Sequence, residues 1–238
     1  MLVRITNSCR MGCNHCMIDA TPSGEHMSTD MFSRSLAFIK LHEFRIVMLS
    51  GGEPTDHPNF LIFAQMAKDS GLHPLILSNG MFLEDERKRD EILSLGIPIQ
   101  ITNDERFYPK KIVKFEHPLL SYEDNLRVIV PLGRAKTNNL QSERMSPLCF
   151  NLRSAIRTLH DFRQAVLYLR LKGKMCTPSI NVDGSIVAGE SSFCHVIGTI
   201  DSIDSELVKN IISMECNKCG LETNLSSLHR AVIGLWKN

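Results

Sequence analysis

The feature that most narrows the fold is an alternation of strand and helix patterns through roughly the first 135 residues. Residues 2–6 are an apolar run of strand length, and residues 29–42 carry Met31, Phe32, Leu36, Phe38 and Ile39 at helical spacing behind Ser28, a candidate cap. Residues 44–50 read as a second, buried strand, 59–70 as a helix closed by Gly71, and 73–80 as a third strand. A charged amphipathic helix at 84–95 ends at Gly96, and strands are expected at 97–104 and 126–130. Strands separated by helices connect through right-handed crossovers, which gives a parallel sheet with helices outside. About five to six strands are too few to close an eight-fold barrel. The expected fold class is therefore α/β, a partial, open (β/α) barrel.

The loop after the first strand reads Cys9-Arg-Met-Gly-Cys13-Asn-His-Cys16, three cysteines close enough to turn toward one centre. A closed structural zinc or iron–sulfur site takes four protein ligands, so three leave one metal open to an outside ligand. The plainer readings are a zinc loop with a fourth ligand from elsewhere, or unrelated core thiols. After the second strand comes Ser50-Gly51-Gly52-Glu53-Pro54. Two glycines let backbone approach a ligand closely, and a carboxylate beside them can hold an ammonium group.

Together these motifs resemble the radical S-adenosylmethionine (radical SAM) enzymes. The resemblance implies that Cys9, Cys13 and Cys16 bind a 4Fe-4S cluster whose open iron chelates S-adenosylmethionine, and that Ser50, Gly51, Gly52, Glu53 and Pro54 line the cofactor. The family usually has an aromatic residue before the last cysteine, a place taken here by His15. It further implies reductive cleavage of the cofactor, hydrogen abstraction from a substrate C–H bond, and an external one-electron donor such as flavodoxin or ferredoxin.

In parallel α/β sheets ligands gather at the carboxyl ends of the strands. That rule picks out Ser78 and Asn79 for the ribose or methionyl part of the cofactor, Arg134 for its carboxylate, and Asp104 as a substrate contact or base. Turn chemistry accounts equally well for Ser78-Asn79-Gly80, and a solvated loop carboxylate for Asp104.

Four more cysteines lie near the other end. Cys176 and Cys194 flank a hairpin pattern over 180–187 that turns at Asp183-Gly184, and Cys216-Asn-Lys-Cys219 follows. By spacing alone four thiolates suit zinc as well as a four-iron cluster. The pattern is similar to the twitch extension of radical SAM enzymes, a shortened SPASM domain, which implies one auxiliary 4Fe-4S cluster on Cys176, Cys194, Cys216 and Cys219. Cys149 is left over, either a buried thiol or a hydrogen-atom donor beside the substrate. His195 reads as an exposed loop histidine. The expected organisation is a barrel at 1–148, a connecting basic helix at 149–174 and the extension at 175–238.

Composition agrees with this. With 238 residues, 43% hydrophobic content and a net charge of +1, the chain is an ordinary globule with no apolar run of membrane-spanning length. Eight cysteines in tight spacings, with no export-signal pattern, point to metal ligation in a reducing, cytoplasmic setting. The expected substrate is a small metabolite that is oxidised or isomerised. The alternatives are a peptide or protein, and a nucleotide or nucleobase, free or within nucleic acid. Cys9 lies so near the start that no preceding peptide-recognition domain is expected. Residues 144–174 carry seven Arg or Lys against the single Asp161, which can track phosphates or simply solvate a helix face. A zinc-bearing interaction scaffold is the non-enzymatic alternative.

Overall fold

The structure, a computed structural model, describes residues 1–103, 107–123, 129–140, 162–163 and 178–213. Asp104, Cys149, Cys176, Cys216, Cys219 and all of the basic segment 144–174 except Phe162 and Arg163 lie outside the described residues.

One open sheet organises the molecule, in the order β5-β4-β3-β2-β1-β6-β7-β8. Its strands are β1 (Leu2–Thr6), β2 (Ile46–Gly51), β3 (His73–Ser78), β4 (Ile99–Thr102), β5 (Leu120–Glu123), β6 (Ser179–Ile180), β7 (Ser185–Val187) and β8 (Val196–Thr199). The neighbours from β5 through β6 are parallel, and β7 and β8 add an antiparallel edge. β5 and β8 are not paired to each other, so the barrel stays open, as expected. The hairpin foreseen at 180–187 is present as β6 and β7, and its β6 joins the barrel sheet directly beside β1.

The helices delimited among the described residues are α1 (Thr29–Leu41), α2 (Phe60–Asp69), α3 (Glu86–Ser94), α4 (Gly133–Thr137) and α5 (Asp204–Ser213). Ser28 caps α1 by accepting the Met31 N–H at 3.1 Å, as the sequence indicates. The pattern at 84–95 divides, because Asp85 caps α3 through the Lys88 N–H and a short 3-10 turn, Met81–Glu84, precedes it. Alternation in the strands sends Val3, Ile5, Val47, Leu49, Ile76, Ile99 and Ile101 into one core under the helices. There Phe32 of α1 stacks on Phe63 of α2, ring centres 4.2 Å apart. The opposite face of the same strands is left to the barrel interior.

The fifth strand corrects an expectation. Leu120–Glu123 pairs with β4, in the register Ile99↔Leu120 to Thr102↔Glu123, while residues 126–128 of the strand expected at 126–130 lie outside the described residues. Ile129 and Val130 lie outside any strand, and Ile129 is buried. The Tyr122 hydroxyl donates to the Phe115 carbonyl and accepts the Phe115 N–H, both at 2.8 Å. That tertiary anchor fixes a half-polar strand whose hydrophobicity is weaker than that of the run after it. Phe162 packs at 0% exposure against Phe38 and His42, and Arg163 pairs with Glu43 at 2.6 Å, so this one basic side chain is held by a carboxylate.

Candidate active site

The cysteine loop leaves the carboxyl end of β1. Gly12 adopts a left-handed φ of +70°, which a side chain would strain, and turns the chain between Cys9 and Cys13. Cys9 and Cys13 are buried, Cys16 is half-buried, and none of the three forms a disulfide. Their sulfurs meet N–H donors: Met11 N–H to Cys9 at 3.4 Å, Ala20 N–H to Cys16 at 3.3 Å, and the Asn79 amide to Cys9 at 3.6 Å. Burial pushes the Cys9 thiol up to about 11, and burial together with charge on Cys9 and Cys16 pushes Cys13 up to about 12. Thiolates there need a positively charged body to stabilise them.

This donor set suits a cluster. Among the described residues no three His, Cys, Asp or Glu side chains converge to hold one ion. In a four-iron cluster each cysteine takes a different iron, so three free thiols in one loop, two of them with N–H donors to sulfur, are a donor set of the right kind.

The two glycines after β2 serve the cysteine loop. A Cβ at Gly51 would sit 2.0 Å from the Thr6 carbonyl oxygen, and one at Gly52 would sit 2.2 Å from that of Ser8. The Gly52 and Glu53 N–H groups donate to those two carbonyls, each at 2.8 Å. Glu53 is buried, and its carboxylate accepts from the Thr55 N–H, the Thr55 hydroxyl, the Ser78 hydroxyl and the Asn79 N–H at 2.7 to 3.1 Å. Burial raises its pKa and these donors oppose the rise. Glu53 thus ties the end of β2 to the end of β3. Pro54 opens the short 3-10 helix Pro54–Asp56, and half-buried Ser50 pairs in register with Arg4.

The other sites named from sequence fall around this loop. Ser78 is occupied by Glu53 and by the Gly80 N–H, and Asn79 accepts the Met81 N–H at 2.9 Å while donating to Cys9. Arg134 reaches the Cys13 carbonyl at 2.9 Å, the Ala20 carbonyl at 2.5 Å and Asp19 at 3.1 Å. Its own N–H donates to the Cys16 carbonyl at 2.9 Å. Arg134 therefore clamps the cysteine loop with three of its five guanidinium hydrogens. Gly133 permits this close approach, since a Cβ there would lie 2.8 Å from the Cys16 oxygen. His15 packs against Tyr108 and Phe107, ring centres 5.0 and 5.5 Å apart.

Three features escaped the sequence reading. Tyr108 joins the small apolar cluster around Cys9 and Cys13, and burial pushes its phenol well above the usual range. Asn138 braces the loop from α4 by donating to the Asn14 carbonyl at 3.0 Å. Ser191 donates to the Met17 carbonyl at 2.6 Å, which brings the Cys194 turn against the Cys16 turn. His195 is half-buried rather than exposed, and its buried Nε2 has no hydrogen-bond partner among the described residues. None of these rests on a local motif; each depends on the sheet order.

A partial (β/α) barrel whose first strand opens into a three-thiol loop, braced by a Gly-Gly-Glu-Pro segment from the second, defines a class of enzymes built around an iron–sulfur cluster at the barrel mouth. The sequence profile of the radical SAM superfamily matches residues 3–138, more than half of the chain. The chain belongs to that superfamily and is a radical SAM enzyme, and membership implies a 4Fe-4S cluster and S-adenosylmethionine.

Among curated relatives, it is 32% identical over 85 residues to the AdoMet-dependent heme synthase of Methanosarcina barkeri, covering 34% of this chain and 24% of that protein. It is 28% identical over 89 residues to the PqqA peptide cyclase of Bradyrhizobium diazoefficiens, covering 37% and 23%. The chain thus matches about a quarter of the length of these relatives. Among solved structures, BtrN in complex with AdoMet and 2-DOIA is similar in fold, with a TM-score of 0.57 at 15% identity over 97% of this chain and 88% of that one. Among the described residues no helix is long and apolar enough to cross a membrane.

Proposed function

We propose that this enzyme cleaves S-adenosylmethionine reductively and removes a hydrogen atom from a C–H bond of a small polar metabolite, which it oxidises or rearranges. The observation that carries this reading is the buried three-thiol loop with N–H donors aimed at its sulfurs. When bound, the cluster and S-adenosylmethionine would together supply one-electron reduction and hydrogen-atom abstraction at the barrel mouth. Cys9, Cys13 and Cys16 hold the cluster, Arg134 and Asn138 fix their loop, and Glu53 keeps the ends of β2 and β3 together. Because the Glu53 carboxylate already accepts four hydrogen bonds, the cofactor amine would meet main-chain oxygens of the Gly51–Pro54 segment. Arg134 retains two N–H donors for a carboxylate. His15 would lie beside the adenine.

The interior face of β2 to β4 presents Met48, Ser50, Leu75, Leu77, Gln100 and Thr102, opposite the helix-facing residues and half-buried. Short apolar side chains interleaved with hydroxyl and amide groups suit a small polar metabolite. Cys194, with Cys176, Cys216 and Cys219, would hold an auxiliary cluster that accepts the electron left on the substrate when the net reaction is an oxidation. An external one-electron donor primes each turnover.

The test is anaerobic reconstitution followed by reduction in the presence of S-adenosylmethionine. Uptake of about eight irons per chain, with release of 5′-deoxyadenosine, supports the reading. Zinc at both sites with no cofactor cleavage overturns it.

A further inference from the structure

The two faces of β5 differ. Leu120 and Tyr122 pack on the helix-covered core, whereas Ser121 and Glu123 are exposed on the opposite face. The register Gln100↔Ser121 and Thr102↔Glu123 sets Glu123 beside Gln100 and Thr102, on the interior face of the barrel. Glu123 is also the last residue of β5, at the carboxyl edge of the sheet where ligands gather in parallel α/β folds.

Its carboxylate is oriented without being neutralised. The Gln100 amide donates to Oε2 at 2.8 Å, and among the described residues no donor reaches Oε1. Nor does any described Lys, Arg or His lie within ion-pair distance of it. The side chains that share this face on β2 to β4, Met48, Ser50, Leu75, Leu77, Gln100 and Thr102, are uncharged. Arg4, on β1, is committed to the Asn181 side chain and the Glu190 carbonyl. Glu53, after β2, already accepts four hydrogen bonds. An oriented carboxylate among neutral groups in an open cleft is a partner for a cation.

Its position suits a substrate contact. Asn103, which follows β4, donates to the Asn79 carbonyl at 3.2 Å, and the Asn79 amide donates to the Cys9 sulfur. The ends of β3 and β4 and the cysteine loop therefore share one rim. On that rim β5 stands two strands from β3, ~10 Å along the sheet, which is room for one small molecule.

We propose that Glu123, oriented by Gln100, is a specificity-determining carboxylate of the barrel mouth, and that the substrate is an amine-bearing small metabolite whose ammonium group pairs with it. This names the substrate class within the functional reading above and rests on that reading. The pairing fixes which end of the molecule faces the cysteine loop. Gln100 is a positioning residue, acting through Glu123.

The experiment uses the anaerobically reconstituted enzyme with S-adenosylmethionine and no reductant, so that nothing turns over. Dissociation constants are measured by ligand-observed nuclear magnetic resonance for pairs in which an amine replaces a hydroxyl: glucosamine and glucose, cyclohexylamine and cyclohexanol, ethanolamine and ethylene glycol. The amines are expected to bind roughly tenfold tighter than their hydroxyl partners. Glu123→Gln, an isosteric change at an exposed site, should erase that preference and leave binding of the neutral members unchanged. Gln100→Leu should weaken the preference in part. A wild type without the preference, including one that binds no amine, or a preference that survives Glu123→Gln, overturns the inference alone. Iron content, and release of 5′-deoxyadenosine on reduction, are measured on the same preparation. A wild type that takes up no iron or cleaves no cofactor overturns the functional reading, and this inference with it.

Discussion

The side-chain amide of Asn79 donates to the sulfur of Cys9 across 3.6 Å, joining the end of β3 to the first cysteine of the loop. The same side chain accepts the Met81 N–H at 2.9 Å and so is fixed at both ends. Hydrogen bonds to ligand sulfur stabilise the reduced, more negative form of a cluster. Asn79→Leu is therefore expected to lower the midpoint potential of the primary cluster and to weaken the turn by about 1 kcal/mol. A redox titration followed by electron paramagnetic resonance, alongside denaturant unfolding, measures both.

Glu53 should behave as a structural brace as much as a cofactor residue. Glu53→Ala removes the acceptor for four donors in a buried site and is expected to destabilise the fold by on the order of 3 kcal/mol. Urea unfolding of the cluster-free protein isolates that effect from cofactor binding. An unchanged urea midpoint would remove the bracing role.

Arg134 reaches two carbonyls and a carboxylate from one planar fork. A lysine cannot reproduce that geometry, so Arg134→Lys should fail to rescue the defect of Arg134→Ala. Both variants are expected to lose iron to a chelator faster than wild type, with the fold intact by circular dichroism. Equal iron retention in all three proteins would contradict the clamp.

How much of this was legible in the sequence depends on the distance over which each interaction acts. Cys9, Cys13, Cys16 and Gly51 to Pro54 announce themselves, because their chemistry needs fixed residue types at fixed local spacing. The partial barrel was legible for the same reason, since the period of each segment is a local property. Strand β5 was not, because it is held by Tyr122 bonding back to Phe115 rather than by its own hydrophobicity. Nor was the work of Arg134, Ser78 or Glu53, whose partners lie on neighbouring elements. The sequence shows that these residues stand at strand ends; the sheet order decides what each one touches.

His57 supplies a pH dependence. It is buried, with Nδ1 accepting the Asn59 N–H at 2.9 Å and Nε2 placed 3.0 Å from the Met27 carbonyl, a pairing that needs the neutral ring protonated on Nε2. Burial lowers its pKa below 6.5. The unfolded chain then binds the extra proton first, so stability is full above about pH 6.5 and declines as pH falls through the folded-state pKa. Urea midpoints measured across that interval should drop for wild type and flatten in His57→Gln.

The central claim is that the three-thiol loop holds a cluster with one iron open to S-adenosylmethionine. Its most direct test is the electron paramagnetic resonance spectrum of the reduced protein with Cys194, Cys216 and Cys219 replaced by alanine, recorded before and after adding S-adenosylmethionine. The account predicts a signal from the remaining cluster that changes on addition, with 5′-deoxyadenosine appearing in the same sample. A signal that ignores the cofactor, or a cluster that survives replacement of Cys9, Cys13 and Cys16 instead, would contradict it.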